Sequence, residues 1–407
     1  MSRILFVAYG GGHVAALQPV FIAARRAGHN PVFLALTTAK TFLRDRGIEA
    51  LGFRDLPESR LPVVQGYGGE LVRQLAGGPV EHDESVAYLG LNFRDLVTTI
   101  GEPAARQAYA KNGRQIFLPV ATLKAAIEWI NPDLVITTSA PRAERAAILA
   151  AGQLGLPSVC VVDLFCIAES EWVGKANYAT RVCVLNEWVQ RRLVHCGRLP
   201  AKVVITGNPA FDVLMSKETV DAGRQMRDKR QWNDGRMTVL WASQEEPALH
   251  LESGSAANAQ LPRQIESALR QLVARHQDLR LVVRYHTSER VEFVPAERVE
   301  FSPPSESLAP LLHAVDAVVV MTSTVGLQAH IAGKRVVSVR GSVYDPLVPY
   351  ADFRVAISAN GPSDIETALG IGSGKLRNKT PSSVAEGGRV AHESSTERVI
   401  GVIESLI

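Results

Sequence analysis

The chain has 407 residues, 46% hydrophobic and 21% charged, an ordinary globular composition with material for roughly two or three cores. Its 44 basic and 41 acidic residues leave a net charge of +3. That balance does not signal nucleic acid and leaves room for a modest basic face toward a phosphate-bearing ligand or a membrane surface.

"RILFVAY" (3–9) is a run of β-formers that ends in glycine. "AALQPVFIAARRAG" then has helical apolar spacing and stops at Gly28-His29-Asn30. "PVFLAL" reads as a second strand, "TAKTFLRDRG" as a second helix and "IEALGF" as a short third strand. Strand and helix alternating in this way predict a Rossmann-like parallel sheet. Residues 57–120 are less regular, and the glycine-flanked "GYGGELVRQLAGG" within them is expected to be a mobile loop or lid. "ATLKAAIEWINP" is a helix ended by Asn131-Pro132. "DLVITTS", "PSVCVVDLF", "RVCVLN" and "KVVITGNP" follow as strands, with "RAERAAILAAGQLG" and "EWVQRRLVHCG" as helices. These strands are continuously apolar, which suits a sheet covered on both faces.

The pattern restarts after "GNPAFDVL", with "RDKRQWNDGR" as a polar connector and a domain boundary expected within 207–235. The second series has strands at "MTVLWAS", "LRLVVRYH", "DAVVVM" and "KRVVSV" and helices at "LPRQIESALRQLVARH", "SLAPLLHAV" and "TVGLQAHIAG". "GIGSGKLRNKTPSSVAEGG" (370–388) is a low-complexity loop, and "SSTERVIGVIESLI" closes the chain as a helix with a capping box. No apolar run approaches the ~20 residues of a membrane span. "MSRILFVAYGGGH" offers an apolar stretch of only about five residues, so no secretory leader is expected. Cys160, Cys166, Cys183 and Cys196 lack metal-binding spacing and are expected as reduced core thiols of a cytoplasmic protein.

Four stretches carry candidate chemistry. In "AYGGGHVAALQPV" a strand, a glycine turn (Gly11, Gly12) and a helix start form a backbone cradle for an anion or a polar oxygen. The spacing is not GxGxxG and no GK[ST] follows, so neither a dinucleotide site nor a Walker loop is expected. His13, at the helix start, is a candidate general base. In "MTSTVGLQ" a buried strand ends in Thr322-Ser323-Thr324. Those hydroxyls can cap the helix or hold a phosphate beside its dipole, Gly326 lets a ligand approach, and Gln328 can reach a ribose. In "LVVRYHTSE" the residues Arg284, His286 and Ser288 alternate to one side of a strand end and suit phosphate or base contacts. In "WASQEEP" Ser243 and Gln244 occupy the corresponding crevice position, with Glu245 and Glu246 either active or solvated.

Together these stretches resemble the GT-B glycosyltransferases. "GGGHVAALQPVFIAARRAGHNPVFL" is similar to the glycine-His opening of that superfamily, and "MTSTVGLQAHIAGKRVVSV" to its donor segment. The resemblance implies an α/β fold of two Rossmann-like domains facing across a cleft. It implies an acceptor-binding domain over 1–206, a linker over 207–235, a nucleotide-sugar-binding domain over 236–385 and a C-terminal helix over 386–407. His13 takes the place of the catalytic base, and Gln328 stands where a ribose-binding glutamate is common. A second relative is the UDP-N-acetylglucosamine 2-epimerase family, whose interdomain segment "VITGNPAFDVL" resembles. That family has a histidine early in its second domain where this chain has Ser243-Gln244-Glu245-Glu246, and Asp163 and Glu169 would serve as its first-domain acids. A third is the capsule and teichoic-acid transferase group, with CMP- or CDP-linked donors. His286 and Ser323-Thr324 resemble its paired motifs, although threonine rather than proline follows His286.

The expectation is an inverting, metal-independent glycosyl transfer from a UDP- or CMP-linked sugar, which is a substrate and not a cofactor. The acceptor would be a glycan or glycolipid of the bacterial cell envelope. His13 would take the acceptor's proton, with Glu144, Asp163 or Glu169 in reserve. Arg284, His286, Ser323, Thr324 and the helix start would stabilise the departing phosphate. An epimerase and a non-catalytic sugar-nucleotide binder are the alternatives. A cytoplasmic location is expected, the inner membrane face included. Tyr88, Leu91 and Phe93 are candidates for peripheral membrane contact, although such residues are more often core.

Overall fold

Apolar runs flanked by glycine, proline and polar residues become the strands of two parallel sheets. The computed structural model describes residues 1–75, 80–250, 254, 256–371 and 393–407. Two units form. Unit 1 comprises Met1–Ala210 and Glu393–Ile407, and unit 2 comprises Phe211–His392. Unit 1 holds β1 (Arg3–Ala8), β2 (Asn30–Ala35), β3 (Leu134–Thr138), β4 (Ser158–Val161), β5 (Arg181–Val184) and β6 (Val203–Ile205). Unit 2 holds β7 (Met237–Ala242), β8 (Leu279–Arg284), β9 (Val299–Phe301), β10 (Ala317–Val320), β11 (Arg335–Val339) and β12 (Ile357–Ala359).

The order in unit 1 is β2-β1-β3-β4-β5-β6, and in unit 2 it is β12-β11-β10-β7-β8-β9. Each unit therefore starts from a central strand, winds to one side and then returns to the other. The reversal falls between β1 and β3 in unit 1, and between β7 and β10 in unit 2. In open parallel sheets, the crevice outside the carboxyl ends at such a reversal is where ligands bind. The predicted third strand of unit 1, "IEALGF", shrinks to one bridge between Leu51 and Leu34.

Alternation along β1 shows how the sheet is covered. Leu5, Val7 and Tyr9 enter one core with Leu91, Phe93 and Ile127, while Ile4, Phe6 and Ala8 enter the other with Val14 and Phe21. Phe6, Phe21 and Phe33 pack as a triad with ring centroids 5.4, 5.8 and 5.5 Å apart. Helix Ser395–Glu404 has the expected capping box, from Ser394 and Glu397. Its Val399, Val402 and Ile403 join the Val14 and Phe21 face, so this helix is part of unit 1.

Three expectations change. The 57–120 region is mainly helical, with helices Pro62–Val72, His82–Ile100 and Glu102–Asn112. The expected lid over 66–78 lies largely in the first of these, and 76–79 are outside the described residues, as is most of the 370–388 loop. Glycine appears there because the first two helices touch backbone to backbone. An added Cβ at Gly68 would collide with Val86 O, and one at Gly90 with Val64 O. Tyr88, Leu91 and Phe93 are buried in that packing and offer nothing to a membrane. Among the described residues no helix is long and apolar enough to cross one. The expected 207–235 linker instead contains helix Lys217–Lys229, which is part of unit 2. Its sequence is too polar to read as a packed helix, but Gly223 meets His313 closely, and Arg227 reaches Ala314 O (2.7 Å) and Asp316 (3.1 Å).

Gly90→Ala should therefore destabilise unit 1 by about 1–3 kcal/mol through overpacking. Chemical denaturation measures it, and an unchanged midpoint would contradict the close helix contact.

Candidate functional site

Unit 1 gathers polar side chains from the carboxyl ends of β1, β3 and β4. Gly10, Gly11 and Gly12 carry the chain from β1 into helix Gly12–Arg26. A Cβ at Gly10 would collide with Thr38 Oγ1, so this glycine serves packing. Gly11 holds φ +70°, the left-handed region that strains a side chain. Gly11 and Gly12 are exposed, and a Cβ at Gly12 would sit 3.7 Å from Asp163 Oδ2. His13 is half-buried, with Nδ1 2.7 Å from Thr138 Oγ1 and 3.8 Å from Asp163 Oδ2. Ser139 Oγ donates to Asp163 Oδ1 at 3.4 Å, and Asn208 Nδ2 donates to Asp163 O at 2.6 Å. Glu169 follows on the loop after β4. Burial pushes its carboxyl above the ordinary range and Asp163 adds to the rise, while a backbone hydrogen bond and His13 oppose it.

Three of the expected unit 1 residues, His13, Asp163 and Glu169, thus lie together. Glu144 does not serve as a reserve base. It is fully buried and accepts from Tyr9 N, Ala140 N and the Thr138 hydroxyl. Cys160, Cys166 and Cys183 are buried, and burial pushes each thiol up, whereas Cys196 is exposed and is not a core thiol.

Unit 2 repeats the arrangement at its own reversal. Gln244, after β7, and Thr322, after β10, pair across it. Gln244 Nε2 donates to Thr322 Oγ1 (2.9 Å), and Thr322 N donates to Gln244 Oε1 (3.1 Å). Ser323 caps helix Thr324–Ile331 by accepting from Val325 N at 3.3 Å, and Thr324 is exposed at the helix start. Gln328 is half-buried one turn along. Ser243 is buried and bonds Glu289 Oε1 (2.8 Å) and Arg263 Nη2 (2.7 Å). A pocket of about 460 Å³, lined by Gln244, Glu245, Arg263, Glu289 and Tyr344 among others, opens beside these groups. His286 is exposed next to them, and its Nδ1 accepts from Ser288 N at 3.3 Å.

Some expected contacts are spent on structure. Arg284 donates to Ser302 Oγ and to the carbonyls of Pro303, Pro304 and Glu306, all within 2.9 to 3.1 Å, so it clamps the loop after β9 and is not free for a phosphate. Gly326 is buried under the Tyr350 ring, where a Cβ would lie 2.9 Å from Val320 Cγ2 and 3.1 Å from Tyr350 Cε2, so packing and not ligand approach requires it. Glu246 is buried and holds Ser342 Oγ (2.8 Å) and Val343 N (2.6 Å). Sequence reasoning missed Thr138, Ser139, Arg263 and Glu289. The hydroxyl run Thr137-Thr138-Ser139 closes β3 as Thr322-Ser323-Thr324 closes β10, and that likeness was the available signal.

A larger groove of about 970 Å³ runs along the outer edge of β2, past Arg25, Lys40, Arg54 and Trp129. Lys40 there pairs with Asp55, and Arg44 and Arg54 with Glu81, and the groove meets β1 and β2 at Arg3 and Pro31–Phe33, toward their amino rather than carboxyl ends. We place the functional site at the strand reversals for that reason.

The family model for UDP-N-acetylglucosamine 2-epimerase matches residues 176–355, which span β5 to β11. No curated protein matches the chain in sequence. Among solved structures, the UDP-GlcNAc 2-epimerase of Neisseria meningitidis bound to UDP-GlcNAc is similar at 13% identity and a TM-score of 0.58, covering 99% of this chain and 100% of that one. That of Methanocaldococcus jannaschii is similar at 11% identity and 0.58, covering 99% of each. The glycosyltransferase SnogD of Streptomyces nogalater is similar at 14% identity and 0.51, covering 100% of this chain and 99% of that one. At these identities the likeness is one of fold. The fold is GT-B-like, and the main resemblance is to the 2-epimerases rather than to the glycosyltransferases.

The raised Glu169 carboxyl has a stability signature. The folded chain holds that proton more tightly than the unfolded chain does, so stability falls as pH rises from the ordinary carboxylate value through the raised one. Glu169→Gln should be more stable than the parent at pH 7, with the difference vanishing below about pH 4. Thermal melts at the two pH values measure it, and equal melts at pH 7 would contradict the buried charge.

Proposed function

We propose that this protein is a 2-epimerase-like enzyme acting on a UDP-linked N-acetylhexosamine. The observation that carries the reading is the gathering of His13, Asp163 and Glu169 at one sheet reversal. Inverting a carbon centre requires a proton to leave one face of the sugar ring and return to the other. Two proton-carrying groups in unlike environments suit that task. Glu169, pushed up by burial, is the acid of the pair, and Asp163 or His13 is the base. Transfer to an acceptor hydroxyl needs only one base, and the second carboxyl would then have no role.

The unit 2 reversal takes the nucleotide. Ser323, Thr324 and the start of helix Thr324–Ile331 receive the phosphates, and the pocket beside Gln244 receives more of the ligand. The family-model match over 176–355 and the likeness to an epimerase bound to UDP-GlcNAc support UDP as the nucleotide. A second reading is a nucleotide-sugar-dependent glycosyltransferase acting on an envelope glycan or glycolipid. It is favoured by His13, which directly follows the glycine turn, and by the likeness to SnogD.

The test is incubation with UDP-GlcNAc in heavy water, followed by proton NMR. The expected outcome is deuterium at C2 together with UDP-linked or free 2-epimerised sugar. Asp163→Asn and Glu169→Gln should each slow it by about 10²–10⁴-fold. No C2 exchange, with UDP released only when an acceptor is added, would overturn the epimerase reading in favour of transfer.

A further inference from the structure

Glu144 is fully buried beside His13 and has no route to a substrate. Its carboxylate accepts from Tyr9 N (2.7 Å to Oε1), from Ala140 N (3.2 Å to Oε2) and from the Thr138 hydroxyl on Oε2. Each of its oxygens faces a backbone N–H, which can only donate, so both oxygens act as acceptors. Thr138 has one hydroxyl proton and gives it to Glu144. Toward His13 Nδ1, 2.7 Å away, its oxygen has only lone pairs to offer. The proton in that contact therefore sits on His13 Nδ1. The other polar neighbour of Nδ1, Asp163 Oδ2 at 3.8 Å, is an acceptor too. Both neighbours ask for the same tautomer.

We propose that Glu144 and Thr138 are positioning residues that lock His13 as the Nδ1–H tautomer, which makes Nε2 the nitrogen that takes a substrate proton. The step is a simple transfer. The substrate bond to hydrogen breaks, its electron pair stays on the substrate, and an Nε2–H bond forms. The positive charge that develops on the ring then faces Thr138 through Nδ1–H, with the Glu144 carboxylate one hydroxyl away, and no proton moves along the relay. Helix Ala143–Gln153 makes this possible, because Glu144 in its first turn folds back over the ends of β1 and β3. The inference rests on the functional reading for the identity of the proton, and on hydrogen-bond geometry alone for the tautomer.

The experiment is long-range ¹⁵N–¹H NMR of the imidazoles in the full ¹⁵N-labelled chain, at a pH where free histidine is neutral. The chain has 10 histidines, and His13→Gln assigns the signal. The parent should show an Nδ1–H pattern at His13, and Thr138→Ser should keep it. Glu144→Gln presents an amide donor to Thr138, turns the hydroxyl toward His13 and should reverse the tautomer. Thr138→Val, of nearly the same shape, leaves Nδ1 only Asp163 Oδ2 at 3.8 Å, beyond hydrogen-bond reach, so the Nδ1–H form should give way to a mixture of tautomers, which tests the relay even if Glu144→Gln folds poorly. Both should lower kcat by up to about 100-fold, with much smaller effects on KM. An Nε2–H pattern in the parent, or an Nδ1–H pattern unchanged in both variants, overturns the relay. A parent with Nδ1–H but no C2 exchange would sink the epimerase reading and leave the relay standing. C2 exchange by a parent with Nε2–H would do the reverse.

Discussion

Where a parallel sheet reverses its strand order, two neighbouring strands send their connections to opposite sides and leave their carboxyl ends uncovered. The rest of this structure depends on how the two units treat that gap. In unit 1 it falls between β1 and β3, and Glu144 bridges it by holding Tyr9 N, Ala140 N and Thr138. In unit 2 it falls between β7 and β10, and Gln244 bridges it by exchanging hydrogen bonds with Thr322. The strand interiors are mostly apolar on both faces, so the polar groups open to a ligand lie at these ends.

Two of the unit 1 carboxyls, Glu144 and Glu169, are treated in opposite ways. Glu144 is deep but has three donors, and removing one partner would cost roughly 1–3 kcal/mol. It is a fixed point that stiffens the site. Glu169 is half-buried, and burial first, then the like charge on Asp163, raises its carboxyl above the ordinary range. The imidazole of His13 thus meets a fixed relay at Nδ1 and feels a second carboxyl electrostatically. In unit 2 the network of Arg263, Ser243 and Glu289 does the stiffening, with contacts of 2.7 to 2.8 Å around the pocket.

Much of this was legible in the sequence, for physical reasons. The long strands announce themselves as apolar runs because both faces are covered. β9 and β12 have three residues each and carry too little pattern to be seen. Glycine misled in helix Pro62–Val72, where intrinsic propensity argues against a helix but close packing of Gly68 and Gly90 prevails. At the sites, Gln244 and Thr322 stand out because they closely follow apolar strands, His13 because it closes a glycine turn at a helix start, and Asp163 only through the family resemblance. The roles of Arg284 and Gly326 were hidden, since a cation at a strand end looks the same whether it meets a phosphate or four carbonyl and hydroxyl oxygens of a distant loop. Thr138 was passed over as the last residue of a strand, although its burial and its position next to the reversal are what join His13 to Glu144.

The central claim is that ligands bind at the strand reversals and not at the larger groove beside β2. Hydrogen exchange of the full chain with and without UDP tests it most directly. The account predicts slowed exchange in 243–246 and 322–328, with none in 44–55. Protection confined to 44–55, with the two reversal segments unchanged, would contradict it.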